Sequence, residues 1–136
     1  MVTNKQIILP PFKRGFHLIT DLIHHELGPL PENGLLHLFI QHTSAAITIN
    51  ENADPSVRDD MESYFNRLVK ERDPNYTHIY EGDDDMPAHI KASIIGNTIS
   101  IPIINGMPAL GTWQGIYLCE FRNFAGKRRI VATIVS

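Results

Sequence analysis

The stretch IQHTSAAITINENADPSV holds the first residues that could do chemistry. His42 ends an apolar run, Thr43 and Ser44 bring hydroxyls beside it, and a second apolar run leads to Asn50, Glu51, Asn52 and Asp54. A neutral imidazole ligates zinc and similar divalent metals. A carboxylate between two asparagines could serve as a general base, a partner to a histidine, or a Mg²⁺ ligand. Asp54 has a structural reading instead: Asp-Pro is the start signal of a helix. A Ser44–His42 nucleophile pair is weakened by strand geometry, because near neighbours on a strand diverge. The chain holds seven histidines in 136 residues, a high count that points to a site.

The elements that must position these residues can be read from hydrophobic spacing. Gln6–Leu9 predicts a strand stopped by Pro10-Pro11. Ile19, Leu22, Ile23 and Leu27 give Phe16–Leu27 a helical spacing, with Thr20 as a candidate cap and Gly28 as the stop. Leu36, Leu38, Ile40 and His42 alternate onto one face of a strand, with His37, Phe39 and Gln41 on the other. From Pro55, the stripe Val57, Met61, Tyr64, Phe65, Leu68 predicts a helix running to Arg72–Asn75. THIYEGDDDMP reads as an acidic loop, and the helix after it as starting at Pro87. TISIPII reads as a strand whose Pro102 belongs at an edge or faces outward. Asn105-Gly106 is a hairpin signal. GIYLCEF and RIVATIVS read as a final antiparallel pair. The whole predicts one α+β domain over 1–136, with a largely antiparallel sheet and three short-to-medium helices.

Composition sets limits. A formal net charge of −3 gives no general attraction to nucleic acid or anionic membrane. No apolar run reaches the ~18 residues of a membrane span, and no signal-peptide core precedes the first strand. A lone cysteine, Cys119, cannot form an intrachain disulfide; its apolar strand marks it as an inert buried thiol, and a reducing cytoplasm is the expected compartment. Lys127-Arg128-Arg129 reads as a solvated turn, with a phosphate contact as the sharper alternative. His24, His25 and His37 read as structural or surface residues.

HTSAAITINENADPSV, DMPAHIKASIIGNTISIPIINGM and LGTWQGIYLCEFR resemble, in order and spacing, the signatures of the YjbQ-like family. Its members are often labelled secondary thiamine-phosphate synthases. The resemblance implies a compact α+β fold, a homotrimer, and a histidine site that holds a metal or an anion. It singles out His42, His78 and His89 as metal ligands, although no two of them have an HxH or HxxxH spacing. It also tips Glu51 towards catalysis. Zn²⁺ suits three imidazoles, whereas Mg²⁺ suits departure of pyrophosphate. Ser44 is a second catalytic candidate. Thr43, Asn50, Trp113 and Gln114 are candidates to bind a small phosphorylated substrate. These residues are expected to meet in one pocket, where strand ends and a helix start converge. The acidic stretch Glu81–Asp85 receives no role. The expected function is metal-assisted chemistry on a phosphorylated small molecule, thiamine-phosphate synthesis being the specific form; the alternatives are a non-catalytic metal- or metabolite-binding trimer and a metal-dependent hydrolase.

Overall fold

A computed structural model describes all residues, 1–136. The elements run β1 (Val2–Leu9), β2 (Gly15–Leu18), α1 (Thr20–Leu27), β3 (Asn33–Ile40), β4 (Ala45–Glu51), α2 (Pro55–Leu68), α3 (Asp85–Ile95), β5 (Thr98–Ile104), β6 (Met107–Pro108), β7 (Gln114–Glu120) and β8 (Arg128–Val135). The strands form two sheets, ordered β1-β8-β3-β5-β6 and β2-β7-β4. Every pairing is antiparallel. The α+β class and the three helices are as the spacing predicts.

The two sheets pack face to face. Ile7, Leu9, Leu36, Leu38, Ile40, Ile101, Ile103, Ile130 and Ala132 from the five-stranded sheet meet Ala45, Ile47, Ile116 and Leu118 from the three-stranded one, joined by Ile19 just before α1 and Ile23 within it. Nonpolar surface removed from water there supplies the main folding force. The other face of the small sheet carries Phe16, Ala46, Tyr117 and Cys119, covered by Phe65 of α2 and by Ala88 and Ala92 of α3. The small sheet is thus buried on both sides. That is why Gly115–Glu120 of β7 is buried at every position rather than at alternate ones.

Several readings of the elements change. Phe16–Leu18 is strand β2, paired with β7, and the helix starts only at Thr20. The Thr20 hydroxyl caps nothing and instead accepts the Ile116 N–H. The helix α2 stops at Leu68, and of its stripe only Phe65 is buried. The strands β7 and β8 are not partners: β7 lies between β2 and β4, and β8 between β1 and β3. The Asn105-Gly106 turn forms as predicted, with φ of 53° and 77°, the two positive values that a type I′ turn requires. Pro102 is tolerated because its outer neighbour, β6, has only two residues, paired to Ile103 and Ile104.

Candidate metal centre at one end of the central sheet

The helix α3 begins at Asp85, two residues before Pro87. A proline fits within a first turn because N–H groups there have no intrahelical acceptor. This start puts Asp85 and His89 four residues apart on one helical face. The preceding loop brings His78 against them. His78 Nε2 lies 2.6 Å from Asp85 Oδ2, and His89 Nε2 lies 3.1 Å from the same oxygen. The three ligating atoms fall within 4.8 Å of one another. Asp85 is 2% exposed, and Arg122 donates to its other oxygen, Oδ1, while also bonding Asp84. Burial pushes the Asp85 carboxyl up. The His78 hydrogen bond, the Arg122 charge and His89 outweigh that and hold it below the usual carboxylate range.

The protons of His89 carry chemical information. Its Nδ1 is 3.0 Å from the Thr43 carbonyl, which can only accept, so Nδ1 bears a hydrogen. In the neutral ring Nε2 is then a bare lone pair aimed at a carboxylate oxygen. Something positive must sit between them: a second proton or a metal ion. A carbonyl that fixes one imidazole nitrogen while the other faces outward is the usual arrangement behind a metal-ligating histidine.

His42 belongs to the neighbouring wall. With Thr43, Ala45, His89, Ala92, Ser93, Gly96 and Asn97 it lines an open cavity of about 410 Å³. Its Nε2 accepts the Arg129 N–H at 2.9 Å. Burial, then the Arg128 charge, lowers its pKa; Glu120 opposes this and Arg129 adds to it. His42 is therefore a neutral ring whose remaining N–H is a donor, and the expected third ligand is replaced in this grouping by Asp85. Ser44 is 9% exposed, and its Oγ accepts from Arg128 Nη2 at 3.0 Å rather than meeting a base. Arg128 is itself buried and forked onto Glu120, at 2.7 and 2.6 Å. The basic cluster is not a solvated turn: Arg128 is a buried brace beneath His42 and Ser44. Cys119 is an inert thiol, its pKa pushed far up by burial and by the Glu62 charge.

Glu51, Asn50, Trp113 and Gln114 do not join this group. Together with Ile49 they line a separate open cavity of about 430 Å³. The register sets Glu51 opposite Gln114 and Ala45 opposite Glu120, at the two ends of β4. Six residue steps of strand separate them, roughly 20 Å. Asp54 caps α2, its Oδ1 accepting the Ser56 N–H at 2.9 Å, as its sequence position predicts. Sequence reasoning missed Asp85. The available signal was its i,i+4 spacing to His89, hidden by placing the helix start at Pro87.

The model of the family described as "UPF0047 protein YjbQ-like" matches residues 5–136. The chain is 52% identical to UPF0047 protein YjbQ of Escherichia coli O157:H7 over 133 residues, 96% of each chain. It is 44% identical to a UPF0047 protein of Synechocystis over 103 residues, covering 76% of this chain and 70% of that one. A crystal structure of a YjbQ/UPF0047 family protein from Clostridium acetobutylicum, 35% identical, superposes with a TM-score of 0.80 over 97% of this chain and 99% of that one. A YbjQ-like protein of unknown function from Sulfolobus solfataricus, 24% identical, matches in fold with a TM-score of 0.85 over 100% and 98%. No helix is long and apolar enough to cross a membrane. The chain belongs to the YjbQ-like (UPF0047) family.

Proposed function

We propose that His78, Asp85 and His89 hold a divalent metal, and that the protein carries out metal-assisted chemistry on a small phosphorylated substrate in the adjoining cavity. The observation that carries this reading is His89 Nε2, 3.1 Å from an oxygen of a buried carboxylate that His78 also meets, with the other ring nitrogen fixed from behind by the Thr43 carbonyl. Two imidazoles and one carboxylate are a donor set suited to zinc with a position left open. When bound, the metal supplies Lewis acidity and an ionisable water near neutral pH. Arg122 anchors Asp85 and keeps it charged. The neutral His42 ring, the Thr43 and Ser93 hydroxyls and the Asn97 amide offer uncharged donors to phosphate oxygens along the cavity wall.

Thiamine-phosphate synthesis is the particular reaction that the family resemblance suggests. Departure of pyrophosphate calls for oxygen-ligated Mg²⁺, and two imidazoles favour zinc. Hydrolysis of a phosphorylated compound therefore fits the donor set better, and both reactions are to be assayed. Assembly as a homotrimer is part of the proposal. It is supported by the outer face of the five-stranded sheet, which no helix covers and where Ile8, Leu35, Phe39 and Ile104 are each 39–53% exposed.

The test is metal content and turnover of protein purified without an affinity tag or added metal. Zinc near stoichiometry, with turnover lost on chelation and restored by zinc, is the expected result. Metal-free protein whose turnover ignores chelators would contradict the reading. Light scattering should give about three times 15.4 kDa; a monomer at micromolar concentration would remove the trimer.

A further inference from the structure

The loop at the far end of β4 is fixed tightly while its one large side chain is exposed on the single chain. The Asn52 N–H donates to the Trp113 carbonyl at 3.0 Å, and Asn52 Nδ2 donates to the Thr112 and Gln114 carbonyls, each at 3.2 Å. The Gly111 N–H donates to Gln114 Oε1 at 2.8 Å, and the Gln114 N–H returns to the Gly111 carbonyl at 3.0 Å. Gly115 makes this possible: a Cβ there would lie 2.9 Å from the Asn52 Cβ and 2.6 Å from Leu18. None of these bonds uses the indole, and Trp113 is 64% exposed. A turn gains no stability from a tryptophan held in solvent, so the side chain needs another account.

The cavity beside it supplies one. The Glu51 carboxylate is engaged by one long hydrogen bond, 3.3 Å from the Asp54 N–H. The oxygens of Asn50 and Gln114 already accept from the Glu51 and Gly111 N–H groups, which leaves both carboxamide –NH₂ groups as donors. The wall thus combines an indole, a carboxylate and two amide donors. An indole face attracts cations through its quadrupole, tryptophan most strongly. The carboxylate adds opposite charge. Amide donors call for an acceptor on the ligand.

We propose that Trp113, Glu51, Asn50 and Gln114 form a second binding site, separate from the metal centre, for a small planar nitrogen cation that carries a hydrogen-bond acceptor. It stacks on the indole, pairs its charge with Glu51 and accepts from the amides. The site does not rest on the metal reading, and its test is done in EDTA.

The probe is N-methylnicotinamide chloride, a planar cation with an amide acceptor; nicotinamide, neutral at pH 7, is its uncharged counterpart. Trp113 is the sole tryptophan, so its indole N–H gives a single assignable NMR signal. The expected result is a saturable shift of that signal with the cation, at least about fivefold weaker with nicotinamide, and weakened by a similar factor in Glu51→Gln and Trp113→Leu when followed calorimetrically. Trp113→Phe, which keeps a ring, should lose less than Trp113→Leu. Equal affinity for the charged and neutral probes overturns the proposal, as does the absence of a saturable shift. So does an indole shielded from acrylamide quenching in the assembled protein, which would assign Trp113 to a contact between copies of the chain.

Discussion

The two ends of β4 are built from different materials. At the Ala45 end, charges are buried and braced: Arg128 forks onto Glu120, Arg122 grips Asp84 and Asp85, and two imidazoles converge on one carboxylate oxygen. At the Glu51 end the bonds mostly join side-chain amides to backbone groups, and the Glu51 carboxylate lines an open cavity beside an exposed indole. Buried charge in a low-dielectric setting fixes geometry and tunes protonation, which suits a metal centre. A rigid neutral frame presenting an exposed ring suits recognition. The contrast teaches that a motif continuous in sequence, from His42 to Asp54, need not be one site. Seven residues of strand hold its halves about 20 Å apart.

The largest expected effect tests the bracing. Arg128→Met leaves Glu120, 0% exposed, without its partner, and should cost about 3–5 kcal/mol in chemical denaturation. The Trp113 emission of the protein that remains folded should not change. A loss under 1 kcal/mol would show that Glu120 finds another partner and that the end is not braced by this pair.

A second test uses pH. The folded Asp84 and Asp85 carboxyls are held below their ordinary values, despite burial that pushes each up; hydrogen bonds and the Arg122 charge prevail. A depressed folded pKa adds stability above the unfolded value near 3.9, and that stability is lost as pH falls through the folded value. Thermal midpoints should therefore drop below about pH 4 in the native protein, and more gently in Asp85→Asn. Parallel curves would remove Asp85 from the charge network.

The smallest effect belongs to Asp54. Asp54→Ala deletes the cap on α2 and should lower the midpoint by a few degrees while leaving metal and pyridinium binding alone. A change in either binding would tie the cap to a site.

Much of this was legible beforehand. Strand β3 and the Asp54-Pro55 start follow from local rules, because period-two alternation and capping chemistry are set within a few residues. The separation of β7 from β8 was not, since an apolar run buried on both faces carries no record of its neighbours. Asp85 escaped because the first turn of a helix tolerates proline at several positions, so Pro87 does not mark the start. The burial of Arg128 could not be read from a basic triplet; it depends on Glu120 arriving from the other sheet.

The proposal at the centre of this account is that a divalent metal is held wholly by the His78–Asp85–His89 group. The direct measurement is zinc affinity by chelator competition, after EDTA stripping, for the native protein, His89→Ala and Glu51→Gln. The account predicts that His89→Ala weakens zinc by at least about tenfold, while Glu51→Gln binds it as tightly as the native chain. Equal weakening in both variants would contradict it, and would mean that Glu51 reaches the metal.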